Sequence, residues 1–143
     1  MTPAPLWTPA TSIAAECARR GRSELVSACV GILTGRPCDD ELLLALAGPA
    51  APPVLAGREG GTAGYWPRVW AARGLLHAWD ATGTKAIIAA TRDESWRVRE
   101  MAAKVVARHL IEEALSAVVA LQEDPVPRVR RAALRAVQRV AAG

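Results

Sequence analysis

The sequence is poor in the residue types on which most catalytic and metal sites depend. Its 143 residues include two histidines and three cysteines, and phenylalanine is absent. His77 and His109 stand far apart and neither is followed by glutamate, and no cysteines have Cys-x-x-Cys spacing. Phosphate-binding Gly-rich loops and Gly-x-Ser-x-Gly motifs are also missing. The sequence therefore predicts no cofactor, no metal and no catalytic centre.

Two further features of the sequence bear on the cellular compartment of the protein. The N-terminus (Met1 to Pro5) lacks the charged-then-apolar order of a signal peptide, and no uncharged apolar run approaches the roughly 20 residues that span a bilayer. The cysteines, Cys17, Cys29 and Cys38, are odd in number, which is typical of thiols in a reducing compartment. We therefore expect a cytoplasmic protein without membrane contact.

Small aliphatic residues are abundant instead. Hydrophobic residues make up 51% of the chain, mostly alanine, leucine and valine, whereas aromatic residues make up 4%. This composition favours closely packed helices, because small side chains let neighbouring backbones approach. No segment alternates with the period of a strand, so we expect an all-α fold. The length suits one domain with a core of its own.

Prolines and glycines divide the chain into segments. Residues 1–10 are proline-rich and predict a flexible arm, and residues 11–143 are expected to form a single domain. Within it, residues 11–56 hold irregular N-terminal helices, and glycines between 57 and 64 predict a linker or exposed loop. The apolar pattern becomes regular over 65–143. It predicts helices near residues 66–79, 84–90, 95–110, 111–122 and 125–140.

Two segments of this regular part are near copies of each other. Residues 93–106 (DESWRVREMAAKVV) align with residues 124–137 (DPVPRVRRAALRAV) at an offset of 31 residues. Both contain aspartate, four variable residues, Val-Arg, two more variable residues and an alanine. A period of this length is typical of stacked helical repeats.

This pattern resembles HEAT repeats, particularly the short form found in phycobilin-lyase-like proteins. The resemblance is clear over residues 93–143 and fair from residue 65, and it implies an α-α superhelix of antiparallel helix pairs. It also implies that certain charged residues form a structural ladder between repeats rather than a catalytic site; these are Asp93, Arg99, Asp124 and Arg130. Because such arrays usually bind other molecules, we expect a non-catalytic protein-interaction or scaffold module.

The segment beginning at Tyr65 follows the pattern imperfectly. Its ladder positions hold Gly64 and Trp70 instead of aspartate and arginine, so the ionic ladder is predicted to stop there and Trp70 to replace it by apolar packing. A helical stripe in this segment is a secondary candidate for a ligand or partner site, although core packing is the interpretation we favour. Its members are Trp66, Trp70, Arg73 and His77.

The other flank of the last two repeats carries a stripe of cations, here called the basic ridge. It comprises Arg97, Glu100, Lys104, Arg108, Arg128, Arg131, Arg135 and Arg139. The two stripes that form it should lie side by side. The ridge is either a solvated face or a track for nucleic-acid phosphates. We favour the solvated face because no stacking aromatic residues interleave with it.

The first repeat has an apolar patch where the ridge would continue. The equivalent residues are Arg68, Ala71, Leu75 and Trp79, and either the N-terminal helices or a partner must cover them. We favour the N-terminal helices. Arg68, Leu75 and Trp79, together with the ridge cations, form the candidate partner surface.

Other functions remain as alternatives. An unidentified protein is the partner we expect most, but the ridge also suits a nucleic-acid-binding module. At the extreme, Trp66, Trp70, Trp79 and Asp80 supply the residue types of an alkylpurine-DNA-glycosylase-like enzyme. The last helix presents Leu134 and Val137, which is compatible with a homodimer formed through that helix.

Overall fold

A computed structural model of the chain describes residues 6–36, 40–52 and 65–143. These ranges contain helices and turns and no strand, which confirms the all-α prediction. None of the helices they contain has the length and apolar character needed to cross a bilayer. Residues 1–5 of the predicted arm, Cys38 and the predicted loop at 57–64 lie outside the described residues.

Three helices precede the repeats. They are α1 (Pro9–Arg20), α2 (Arg22–Leu33) and α3 (Asp40–Ala47), the last followed by a 3-10 turn at Gly48–Ala50. α1 begins inside the segment predicted to be a flexible arm. The reason is that the Thr8 side chain accepts a hydrogen bond from the Thr11 N–H at 3.2 Å and caps the helix, while proline suits its first turn.

The repeats follow as alternating long and short helices. The long ones are α4 (Tyr65–His77), α6 (Trp96–His109) and α8 (Pro127–Ala142), and the short ones are α5 (Thr84–Ala90) and α7 (Leu115–Leu121). α6 packs against both α4 and α8, while α5 packs on α6 and α7 packs on α8. This stacking is that of an α-α superhelix, as the repeat pattern predicted.

The N-terminal helices complete the core of the first repeat. α1, α2 and α3 all pack against α4. Ala71 and Leu75, from the apolar patch of α4, are fully buried, as are Leu25 of α2 and Leu46 of α3. The apolar patch is therefore covered within the chain, as favoured from the sequence. Leu75 offers no side-chain surface to a partner, so its place in the candidate partner surface was wrong.

Candidate interaction surfaces

The ladder expected from the repeat pattern joins successive repeats. Arg99 of α6 donates from Nε to Oδ2 of Asp124 at 2.7 Å and from Nη2 to Oδ1 at 3.3 Å. Its Nη1 donates to the carbonyl oxygens of Asp93 at 2.8 Å and Glu94 at 3.2 Å. Asp124 also accepts from the Val126 N–H at 2.9 Å. One guanidinium thus fixes its own turn and the next turn together.

The environment keeps the Asp124 carboxylate ionised. Burial acts to raise its pKa, because the side chain is only 5% exposed. The hydrogen bonds from Arg99 and from the Val126 N–H, with the positive charges of Arg99 and Arg130, more than compensate and hold the pKa of Asp124 below its ordinary value. A carboxylate held in this way serves as a structural anion.

The prediction that the ladder stops at the first repeat was wrong. Arg68, two residues before Trp70, donates from Nε to Oδ2 of Asp93 at 2.8 Å and from Nη2 to Oδ1 at 3.1 Å. Trp70 is 3% exposed and packs in the core, as predicted. The long arginine side chain reaches the carboxylate from a neighbouring helix position. Arg68 therefore belongs to the ladder, and its place in the candidate partner surface stays a prediction.

The secondary stripe does not form a single site. Trp70 is buried, and Trp66 stacks on it with ring centroids 6.2 Å apart. Arg73 donates from Nη2 to the Leu46 carbonyl oxygen at 2.8 Å, and burial lowers the pKa of its guanidinium. His77 is exposed. The first three residues thus tie α4 to its neighbours, which agrees with the packing interpretation.

Trp79 and Asp80 are separated in role although they are adjacent in sequence. The Trp79 ring stacks on His109 at 5.0 Å between centroids, and His109 Nε2 lies 2.9 Å from the Leu75 carbonyl oxygen. Asp80 accepts from the Thr82 N–H at 2.9 Å and starts the 3-10 turn at 81–83. These contacts give both residues structural roles. The described residues also contain no cluster of His, Cys, Asp and Glu suited to a metal ion.

A groove between α6 and α8, here called the cationic groove, lies on the flank that carries the basic ridge. Its volume is about 520 Å³. It is lined by Leu76, Lys104, Ala107, Arg108, Ala132, Arg135 and Arg139. Its charged lining residues are all cations, and its other lining residues are aliphatic. Arg139 donates from Nε to the Ala107 carbonyl oxygen at 2.9 Å, which joins the two walls.

The single acid of the basic ridge is neutralised at one end of it. Glu100 is 8% exposed and accepts from Arg128 Nε at 3.0 Å, while Lys104 Nζ lies 3.8 Å from the same carboxylate. This contact and the one from Arg139 place the two stripes of the ridge side by side. Arg131 on the last stripe is exposed.

Aromatic residues do interleave with the ridge, contrary to the sequence prediction. The Arg97 guanidinium lies 4.5 Å from the ring centroid of Trp96, 5.3 Å from that of Trp66 and 5.8 Å from that of Tyr65. Arg128 lies 5.3 Å from the Trp96 ring. Trp96 next to Arg97 was a visible signal, but Tyr65 and Trp66 join the cluster only through the packing of α4 on α6.

Comparisons with known proteins agree with this architecture. The model of the family described as HEAT repeats matches residues 65–141. Searches of curated proteins and of solved structures each gave no match. HEAT repeats generally mediate protein interactions. The matched segment covers more than half of the chain and contains the ladder, the stacked helix pairs and the cationic groove. The chain belongs to the HEAT-repeat family.

Proposed function

We propose that this chain is a non-catalytic protein-interaction module that binds an acidic segment of a partner protein in the cationic groove. The observation that carries the proposal is the groove's lining. Lys104, Arg108, Arg135 and Arg139 converge on it, and no carboxylate lines it. A groove whose charged lining residues are all cations raises the local concentration of an anionic partner and speeds its association.

The aliphatic lining residues favour a peptide over a phosphate chain. They are Leu76, Ala107 and Ala132. An acidic segment with interspersed aliphatic side chains can bury those side chains against them while its carboxylates meet arginine forks. A sugar-phosphate backbone has no comparable apolar groups. The chemistry of the groove therefore supports a protein partner.

The aromatic cluster supports the same choice. Bases of single-stranded nucleic acids stack on open aromatic faces. Here, guanidinium groups already lie over the rings: Arg97 over Tyr65, Trp66 and Trp96, and Arg128 over Trp96. A base would have to displace a cation–π contact to stack. The alternative of a nucleic-acid-binding module is thereby disfavoured, and with it the glycosylase-like extreme.

The placement of three aspartates supports a function without catalysis. Asp93 and Asp124 are each held by an arginine fork, and Asp80 caps a turn. General acid–base work requires a carboxyl group that can reach a substrate and change its protonation. Carboxylates committed to ion pairs and turns serve structure instead.

The test compares two anionic probes of equal net charge. One is a fluorescein-labelled peptide of alternating glutamate and leucine, and the other is a labelled oligonucleotide offered single-stranded and as a duplex. Binding to the full chain is followed by anisotropy across a salt series. We expect the peptide to bind more tightly than either oligonucleotide and Arg135→Glu to weaken it by about tenfold or more, since a lining cation becomes a repulsive acid.

Arg92→Glu is the matched control. Arg92 is exposed on the turn after α5 and does not line the groove. Its replacement by glutamate makes the same change in net charge as Arg135→Glu. This variant should bind the peptide nearly as well as the unmodified chain. If the oligonucleotide binds more tightly, or if both variants lose affinity equally, the proposed function is wrong.

A further inference from the structure

Arg130 repeats the geometry of Arg99 one repeat later. Its Nη1 donates to the carbonyl oxygens of Asp124 at 2.8 Å and Pro125 at 3.2 Å. Arg99 Nη1 makes the equivalent bonds, to Asp93 and Glu94, at the same two distances. The guanidinium of Arg130 is therefore pre-oriented in the same way, since its own turn already holds one edge of it.

In the described part of the chain, no carboxylate lies at the remaining edge of this guanidinium. Arg99 uses its Nε and Nη2 to hold Asp124. Among the residues that the structure describes, none places a carboxylate at the corresponding atoms of Arg130, and the residue is exposed. A planar, charged fork fixed at one edge is well suited to bind a carboxylate at two points.

The surface around Arg130 repeats an internal docking face. On α6, the positions in register with Leu134 and Val137 are Ala103 and Val106, and both are fully buried by packing within the chain. On α8, Leu134 is 48% exposed. The short helices agree, because Val119 of α7 is 45% exposed whereas its counterpart on α5, Ile88, packs against the core.

We infer that this surface, here called the α8 end face and formed by Val119, Arg130, Leu134 and Val137, binds a carboxylate-bearing helical turn of an acidic partner protein. This inference goes beyond the cationic groove, which lies on the other flank of α8. The carboxylate expected is an aspartate that accepts the backbone N–H two residues later, because Asp93 and Asp124 both do so while held by arginine.

Charge complementarity selects a different protein rather than a second copy in a two-fold pair. α8 carries arginines at positions 128, 130, 131, 135 and 139 and has no acidic residue between 127 and 142. Two such helices facing each other would bring arginines together and leave each Arg130 fork unmatched. An acidic turn supplies the missing partner. Since Leu134 stands where α6 has Ala103, the partner should present a small residue opposite it.

The experiment uses the chain's own docking unit as the probe. A synthetic peptide of residues 111–126 carries Asp124 and three further acidic residues, and none of the arginines of α8. It is titrated into the ¹⁵N-labelled full chain and into its Leu134→Ala variant, in which the α8 end face copies the internal face of α6. We expect shifts of the Arg130 Nε–H signal and of the amide signals of residues 134 and 137.

Replacing the aspartate of the probe distinguishes binding by the Arg130 guanidinium from non-specific electrostatic attraction. A probe with Asp124→Asn should bind about tenfold more weakly or worse, because charge-assisted hydrogen bonds are lost. Arg130→Gln in the chain should weaken the natural probe equally. Arg131→Gln, the adjacent exposed arginine, should leave its affinity unchanged. Circular dichroism checks that each variant is folded.

Several results would overturn the inference. One is that the probe shifts no signals on either chain, and another is that Arg131→Gln weakens binding of the probe as much as Arg130→Gln does. Sedimentation of the chain alone as a dimer that Leu134→Ser dissociates would identify a second copy as the occupant. None of these results bears on the cationic groove, whose test depends on Arg135, so failure of one proposal is distinguishable from failure of the other.

Discussion

Arg99 and Asp124 connect two repeats through a two-point ion pair, with Nε and Oδ2 2.7 Å apart. The side chains are 16% and 5% exposed. Since Arg99 also holds the carbonyl oxygens of residues 93 and 94, the pair sets the position of one inter-repeat turn relative to the next. Removing either partner of this ion pair leaves the charge of the other largely buried and without its counter-charge.

We expect Asp124→Asn to lower the free energy of unfolding by about 3 kcal/mol, because removing one partner of a buried pair strands the other charge. Urea unfolding measures this. The control is Glu94→Gln, since Glu94 is 88% exposed and lies 3.8 Å from Arg68. That change should cost at most about 0.5 kcal/mol. Equal losses in the two variants would contradict the assignment of Asp124 to the ladder.

The same carboxylate should make stability depend on acid pH. The pKa of Asp124 is lower in the folded chain than its ordinary value, so the folded state binds fewer protons than the unfolded state. Its contribution is fully present above the unfolded pKa, about 4, and is lost as the pH falls through that value towards the folded pKa. The Asp124→Asn variant should therefore show a shallower loss of stability below about pH 4.

In the Asp124→Asn variant, the loss of stability at acid pH should be reduced rather than abolished. Burial raises the pKa of Glu16, but hydrogen bonds and charges of Arg20 and Arg19 hold it below its ordinary value, so Glu16 contributes with the same sign. Urea unfolding at a series of pH values measures both slopes. Identical slopes in the variant and the unmodified chain would show that Asp124 is not the coupled group.

Two glycines in helices should respond oppositely to alanine. A Cβ at Gly74 would lie 2.8 Å from Cys29 Sγ and 2.9 Å from Leu46 Cδ2, where α4 meets α2 and α3. We expect Gly74→Ala to lower the free energy of unfolding by about 1–3 kcal/mol through overpacking. At Gly31 the nearest atom, Arg36 Cδ, is 3.5 Å away. Gly31→Ala should raise the free energy by up to about 1 kcal/mol.

Thermal unfolding of both variants, together with the unmodified chain, measures this pair of effects. The comparison is matched because the chemical change is the same and both sites are helical. Destabilisation of similar size at both positions would mean that the close approach of α4 to α2 and α3 does not govern the response.

His109 should stay neutral to a lower pH than an ordinary histidine. Burial lowers its pKa, the hydrogen bond to the Leu75 carbonyl oxygen opposes this, and the nearby Arg108 charge lowers it further. Because the folded pKa is depressed, the stability contributed by neutral His109 is present above the unfolded pKa, about 6.5, and is lost as the pH falls through that value towards the folded pKa.

A histidine-selective NMR titration measures this directly, with a short His-containing peptide as the reference. We expect the His109 signals to titrate below those of the peptide. A His109→Gln variant should also show less change in stability between about pH 7 and pH 5.5 than the unmodified chain. A titration at or above the reference pH would contradict burial as the dominant cause.

The ladder illustrates how far repetition in the sequence reaches. Arg99 and Asp124 could be assigned a structural role because their pattern occurs twice in register, and the structure places them in contact. Arg68 could not be assigned in the same way, since it lies two positions from the arginine of the pattern. Only the packing of α4 on α6 shows that its long side chain reaches Asp93.

The candidate surfaces show the same division. The alignment predicted that Leu75 lies on the patch continuous with the basic ridge, but whether that patch faces solvent depends on α1, α2 and α3, whose sequences do not follow the repeat. Likewise, Arg97 beside Trp96 is visible in the chain, whereas Tyr65 and Trp66 approach the same guanidinium from another helix. Contacts between helices cannot be read from the spacing within one helix.

By itself, the sequence determined the repeat, its period and the all-α stacking, because helix formation and the burial of a face follow from apolar spacing along the chain. The tertiary structure decided which charges are neutralised and which stay open. Glu100 pairs with Arg128 and lies 3.8 Å from Lys104, while Arg108, Arg135 and Arg139 line a groove that has no acid in its lining. The physical reason is that electrostatic and packing energies depend on distances between side chains of different helices, and those distances exist only after the helices have stacked.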